Sequence, residues 1–337
     1  MKLIPIEEVK LEGVGEKGLD KLIKGGVTTI QALAIMTPME VVSHIGGTVK
    51  AAEKMVQQAR DILGAGFITV DQLVENRESE TFDSTGSPSL DRILGGGIRP
   101  GAITEIIGGF GSLKTQTMIT AATVKASKGE TVLVIDTEGT WVEGGTERIK
   151  QIAITRGLDV DIVTSNMRIA RAYNADHLLQ LIEELPKLVN DFNAKMVILD
   201  SIISHFRGEY KGLGNLAERQ KDLGTVIHML TRVASGFRIP VLVTNQVQTN
   251  IGVVFGDANQ PAGGNIMGHG GTYRVMFRKG RMNKGTSADY QTSVASILDS
   301  SHLAPLKVRI MATEAGVVDE DGSYDETDED DELEQTE

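Results

Sequence analysis

The chain has 337 residues, 40% of them hydrophobic, a formal net charge of −12 and no cysteine. That length supports a large core plus a smaller domain, and the apolar content is ordinary for a globular chain. Disulfides are excluded and a structural zinc site is disfavoured; no apolar run spans a bilayer and no basic-then-apolar leader precedes the body, so the expectation is a cytoplasmic or nuclear protein, neither membrane-bound nor secreted.

The negative charge is uneven. Of the 46 acidic residues, 12 fall in 319–337, which has no Lys or Arg; the remaining 34 match the 34 basic residues. Residues 319–337 therefore predict a disordered acidic tail, and the neutral body can still carry local basic grooves.

In chain order, residues 1–63 predict a small all-helical domain. Leu11-Glu12-Gly13-Val14-Gly15 is a tight turn between two short helical patterns. Thr28 with Gln31 and Thr37 with Glu40 have capping-box spacing, and Pro38 takes the favoured first helical position. Residues 48–63 form a further amphipathic helix. A G-x-G turn between helices can offer amides to a nucleic-acid phosphate, as in a helix-hairpin-helix; the same spacing also fits a plain packing unit. Residues 64–82 predict a linker, opened by the helix-breaking Gly64, Ala65 and Gly66. Its apolar tetrad, Phe67-Ile68-Thr69-Val70, is expected on the residues alone to pack against its own chain rather than on another subunit.

From Thr85 the pattern is α/β, with strands predicted at 103–107, 132–136, 196–200, 241–245, 273–278, 293–298 and 307–312. The first four are short and almost wholly apolar, as buried parallel strands are; the last three follow one another closely and predict an antiparallel extension. Between the first strand and a helical pattern lies Gly108-Gly109-Phe110-Gly111-Ser112-Leu113-Lys114-Thr115-Gln116. Strand, glycine turn and a Lys-Thr pair opening a helix make a phosphate loop: Lys114 reaches the β- and γ-phosphates and Thr115 holds Mg²⁺. The pattern calls for glycine where Leu113 stands; if the backbone is left-handed there, leucine costs roughly 1–3 kcal/mol.

Other polar groups fall at strand ends: Asp136-Thr137-Glu138, Asp200-Ser201 and Asn245-Gln246. Parallel strands would gather Lys114, Thr115, Glu138, Asp200 and Gln246 in one crevice, Asp200 as a Walker-B-like metal carboxylate and Glu138 as the group that orients or deprotonates water. The glycine-rich stretches 208–216 and 247–264 predict two long functional loops.

Together these residues resemble the RecA-type recombinases, in the branch of the archaeal and eukaryotic proteins. The likeness covers about residues 1–318 and rests on Ser84-Thr85-Gly86-Ser87, Leu94-Gly95-Gly96-Gly97-Ile98, Ile135-Asp136-Thr137-Glu138, Leu199-Asp200-Ser201, Ser204-His205-Phe206-Arg207, Leu216-Ala217-Glu218-Arg219-Gln220, Val243-Thr244-Asn245-Gln246-Val247 and Pro261-Ala262-Gly263-Gly264-Asn265 with His269. It implies a RecA-like P-loop ATPase core at 83–318 with a mostly parallel sheet, ATP and Mg²⁺ as ligands, single- and double-stranded DNA as partners, recombination mediators as helpers, and head-to-tail self-assembly into a helical filament or a ring.

Residue by residue, the resemblance implies that Glu138, Lys114 and Gln246 serve hydrolysis, Gln246 linking the γ-phosphate to the second DNA loop. Arg148 resembles the arginine beside the adenine. His269 is similar to a phosphate sensor across the subunit boundary, and the segment from Asp299 to Pro305 resembles a cap laid over a neighbour's ATP. Arg207, Lys211, Arg219, Gly263, Gly264 and Asn265 would grip DNA phosphates, and Val253, Val254 or Phe255 would wedge between bases. Phe67 and Val70 match the polymerisation motif in which a linker strand joins the next subunit's sheet, which reassigns the tetrad to subunit docking. The chain departs from the family at Leu113, Val70, Leu213, Ser301, Ala304 and in the length of 139–146. Those departures keep in play a paralogue or mediator with weak turnover; a ring motor on the same core is a separate alternative.

Overall fold

Alternation along the strands builds two cores, one on each face of a central sheet. In a computed structural model of the chain, residues 2–78, 80–210, 214, 216–249, 259–262, 273–280 and 291–320 are described. The strands are β1 (Ile103–Gly108), β2 (Val132–Asp136), β3 (Met167–Arg171), β4 (Met196–Asp200), β5 (Val241–Thr249), β6 (Asn259–Pro261), β7 (Tyr273–Lys279), β8 (Thr292–Ser300), β9 (Lys307–Thr313) and β10 (Gly316–Asp319). Every residue of β1, β2 and β4 is buried. Leu133, Ile135, Val197 and Leu199 join one apolar cluster, while Val132, Val134, Met196 and Ile198 join the other. A pleated strand covered on both faces requires this period of two with no polar face.

The strand order is β10-β9-β8-β7-β1-β5-β4-β2-β3, and β6 pairs with β5 outside that path. From β7 to β3 neighbours run parallel, so the core is mostly parallel as expected; β8, β9 and β10 continue antiparallel. The expected antiparallel run of the last three predicted strands holds from β7 through β9, and the change of direction falls at β7, which itself lies parallel to β1. A buried ion pair, Arg274 Nε to Glu105 Oε2 at 2.8 Å, crosses that seam, and Asn245 Nδ2 reaches the other Glu105 oxygen at 2.7 Å. Burial pushes the Glu105 carboxyl up, and Arg274 and Asn245 pull against it. The sequence predicts no strand at β3, β6 or β10, none of which carries a continuous apolar run.

The helices are α1 (Glu16–Lys24), α2 (Ile30–Ala34), α3 (Pro38–Ile45), α4 (Val49–Ile62), α5 (Val70–Glu78), α6 (Pro88–Ile93), α7 (Lys114–Ala126), α8 (Thr146–Thr155), α9 (Val160–Ser165), α10 (Ala175–Asp191), α11 (Ser204–Glu209) and α12 (Leu216–Phe237). Leu22, Ile30, Leu33, Val41 and Val56 of the first four share a cluster with Leu178 and Ile182 of α10 and Leu230 and Val233 of α12. Thr37 and Glu40 close the expected capping box at α3 with Pro38 behind it. The same Glu40 receives Arg232 Nη1 and Nη2 of α12 at 2.9 and 2.8 Å.

Four expectations need correction. Thr29, not Thr28, caps α2, and the Gln31 side chain instead accepts from the Ile4 amide. The turn at 11–15 is preceded by one 3-10 turn, Ile6–Glu8, rather than by a helix. The linker is not all extended: Thr69 and Gln72 exchange side-chain and backbone hydrogen bonds of 2.9 and 3.2 Å that start α5 at Val70. Asp319 ends β10 instead of opening a tail, because its carboxylate accepts from the Ser89 amide and hydroxyl and from the Ser87 hydroxyl. Residues 321–337 lie outside the described residues.

Candidate active site

The carboxyl ends of β1, β2, β4 and β5 meet at one edge of the sheet, as their parallel register requires. From β1 the chain turns through Gly109 to Ser112 into α7. Gly108 admits no side chain, since a Cβ there would lie 2.4 Å from the Phe277 carbonyl oxygen. Phe110 stands fully exposed at the tip. The Ser112 hydroxyl donates to the Gly109 carbonyl at 2.9 Å, and β8 braces the loop from outside: Gln291 donates to the Gly111 carbonyl and Ser293 Oγ to the Ser112 carbonyl at 3.1 Å.

Leu113 takes the left-handed conformation that the missing glycine would have taken, φ 67° and ψ 12°. Its side chain is 6% exposed and packs in the cluster that holds Met118, Ile119 and Val134. Burying a leucine stabilises by about 1.5–3 kcal/mol, of the same size as the backbone strain. The side chain thus points into the core and leaves the concave side of the loop clear.

Lys114 Nζ donates to the Gly109 carbonyl at 2.8 Å, and among the described residues it has no carboxylate within ion-pair distance. Burial lowers its pKa, opposed by the charges of Asp200 and Glu138. A half-buried ammonium at a helix N-terminus, without an anion, is a place for one. Next to it, Asp200 is buried and accepts from the Thr244 hydroxyl and from the Trp141 indole Nε1 at 2.9 Å, and the Thr115 hydroxyl acts to lower its pKa. Burial raises the Asp200 carboxyl. A hydroxyl and a carboxylate side by side are hard oxygen donors of the kind that suit Mg²⁺.

Glu138 projects from the turn after β2. Its Oε1 accepts from Ser201 Oγ and from Gln246 Nε2, both at 2.9 Å. Gln246 Oε1 in turn accepts from Arg207 Nη1 of α11 at 2.6 Å. Asp136 shapes the turn: its carboxylate accepts from the amides of Glu138, Gly139, Trp141 and Val142 at 3.1, 2.7, 3.0 and 3.3 Å. Thr137 locks it to the next strand end by donating to the Ser201 carbonyl at 2.8 Å.

The structure therefore brings together Gly108 to Thr115, Glu138, Asp200, Gln246 and Arg207. Gln116 and Arg148 sit one step away; Arg148 Nε donates to Gln116 Oε1 at 2.8 Å and its Nη2 to the Thr313 carbonyl. Asp299 is not in this crevice: it pairs with Arg274, which is in register with Glu105, three residues before the loop. Arg219 lies on α12, and its Nε is buried and has no hydrogen-bond partner among the described residues. Lys211, Val253, Val254, Phe255, Gly263, Gly264, Asn265 and His269 lie outside the described residues. Within the expected loop 247–264, Val247 to Thr249 are strand and pair with Pro261 to Asn259. Phe67 is fully exposed, which overturns self-packing of its tetrad, and the exposed Val70 is helical rather than extended.

Sequence reasoning set Asp136 at a strand end and Thr244 within a motif without giving either a role, and it missed Trp141, Gln291 and Ser293 as parts of the site. Only the lone tryptophan, three residues past Glu138, carried a visible signal.

A profile of the family described as Rad51 matches residues 77–320. The chain is also similar to the "DNA repair and recombination protein RadA" of Ignicoccus hospitalis, with 38% identity over 327 residues that cover 94% of this chain and 96% of the relative. A match over most of the core and an end-to-end likeness of that size decide kinship: the chain belongs to the Rad51 family of RecA-type recombinases, in its RadA branch.

Proposed function

We propose that the chain is an ATP-dependent homologous-recombination protein that forms helical filaments on single-stranded DNA and promotes homologous pairing and strand exchange. One run of contacts carries the reading: Ser201 and Gln246 donate to Glu138, and Arg207 donates to Gln246. A carboxylate suited to activating water is thereby tied to a cation at the head of the loop 208–216. A DNA phosphate competing for Arg207 frees the Gln246 carboxamide and alters the hold on Glu138. That is the coupling a DNA-dependent ATPase needs.

Lys114 and the first amides of α7 hold the triphosphate; Glu138 orients the attacking water and takes its proton. Thr115 and Asp200 would hold Mg²⁺, which when bound would supply neutralising charge to the phosphates. Gln116 and Arg148 flank the base. Asp299, outside this crevice, and His269 act on the nucleotide of a neighbour, and Phe67 with Val70 docks on an adjoining subunit. Arg207, Lys211 and Arg219, with Gly263, Gly264 and Asn265, grip DNA phosphates, while Val253, Val254 or Phe255 separate bases. The RadA relative's name supports this assignment.

ATP hydrolysis by the purified chain, with and without single-stranded DNA and beside electron micrographs, tests it. We expect DNA-stimulated turnover, open helical filaments, and a loss of about 10²–10⁴-fold in Glu138→Gln with nucleotide binding retained. Closed rings, or a Glu138→Gln variant as fast as the parent, overturn it. The left-handed Leu113 favours a second reading, a mediator with weak turnover; a gain of about tenfold or more in Leu113→Gly, roughly 1.4 kcal/mol of barrier, would select that one.

A further inference from the structure

Trp141 is the one tryptophan in the chain and it is completely buried, in a π-helical turn Trp141–Gly145 that no motif demands. A buried indole ring is first of all packing, but its N–H must find an acceptor. Here the acceptor is the Asp200 Oδ2 atom at 2.9 Å, with the other oxygen, Oδ1, taken by the Thr244 hydroxyl. One donor on each oxygen fixes the carboxylate plane about its Cβ–Cγ bond. The Trp141 bond is charge-assisted and buried, the stronger kind of hydrogen bond.

The ring's position is itself dictated. Asp136 accepts from the Trp141 amide at 3.0 Å and the Val142 amide at 3.3 Å, as well as from Glu138 and Gly139. Gly139 has φ 87°, a left-handed conformation that suits glycine and strains residues with a side chain. One carboxylate at the end of β2 therefore aims two groups from a single turn. Glu138 goes to Ser201 and Gln246; Trp141 goes to Asp200.

We propose that Trp141 is a positioning residue for the metal half of the site: its indole N–H holds Asp200 in the orientation in which, with Thr115, it receives Mg²⁺. The proposal rests on the nucleotide-binding reading above and goes beyond it by assigning a role to a residue outside the phosphate loop and the strand-end carboxylates. Groups behind metal ligands typically contribute 10–100-fold to metal affinity.

The test is Trp141→Phe, which keeps most of the ring and removes the N–H. Retention of labelled ATP on the full-length protein is followed as Mg²⁺ is titrated. We expect the half-saturating Mg²⁺ concentration to rise by about tenfold, while ATP affinity in excess Mg²⁺ stays within about twofold. A role in packing alone would lower the melting temperature and leave the Mg²⁺ midpoint in place; an unchanged midpoint in a folded Trp141→Phe overturns the proposal. Should that variant not fold, the unaltered protein decides. The emission of its single tryptophan, with ATP present, is expected to change with Mg²⁺ at the same midpoint as ATP retention. Emission indifferent to Mg²⁺ while ATP is retained overturns the proposal and leaves the ATPase reading standing. No ATP retained at any Mg²⁺ concentration overturns both.

Discussion

Two turns, after β1 and after β2, open on the same edge of the sheet with β5 and β4 between them, and they are built on opposite plans. After β1, the phosphate loop keeps its strongest donor nearly unspent: among the described residues Lys114 has only a carbonyl of its own loop as partner. After β2, the turn is saturated from within, four amides converging on Asp136. The first has donors waiting for an anion from outside. The second has supplied its own anion and spends the order it gains on aiming Glu138 and Trp141. A binding turn leaves charge uncompensated, and a scaffolding turn compensates it.

Three substitutions sharpen that contrast. The largest effect is expected from Asp136→Ala. It strips the acceptor from four amides at once, and unmet buried donors cost about 1–3 kcal/mol each before water or relaxation helps. We expect a loss of roughly 3–5 kcal/mol in urea unfolding and collapse of turnover. Stability within about 1 kcal/mol of the parent would mean the turn does not depend on its internal anion.

Lys114→Ala should behave in the reverse way. It removes one charge-assisted contact to phosphate, about 1.5–3 kcal/mol or on the order of 10–100-fold in nucleotide affinity, and barely alters unfolding. Equilibrium binding of a fluorescent ATP analogue measures this; undiminished affinity would break the comparison on the binding side.

Leu113→Gly is expected to have the smallest effect. The change removes a buried side chain but relieves a left-handed leucine, so the cavity cost of about 2–5 kcal/mol is partly offset by roughly 1–2 kcal/mol of backbone relief. A net destabilisation of about 1–3 kcal/mol follows, read from the thermal or urea midpoint. A stabilised variant would show that the core does not use the leucine.

Much of the crevice was legible before any fold was known. Lys114, Thr115, Glu138, Asp200 and Gln246 each end or follow an apolar run, and parallel strands place such ends together. The partners of these residues were not legible. Thr244 and Gln291 are separated from the groups they touch by tens of residues, and nothing in their own neighbourhood gives them that role. The Phe67 tetrad shows a different limit: local apolarity favoured burial, yet Phe67 is fully exposed, because a capped helix begins at Val70 and carries the patch outward.

By itself the sequence determined the α/β class, the two-faced burial of the central strands and the phosphate loop, because hydrophobic period and glycine placement act within a few residues. The tertiary structure decided three things that depend on long-range register. It made β7 a parallel neighbour of β1, turned Leu113 into the core instead of the ligand space, and brought Trp141 against Asp200. Each is settled by which distant surfaces the sheet order makes adjacent, a quantity no local window of the chain contains.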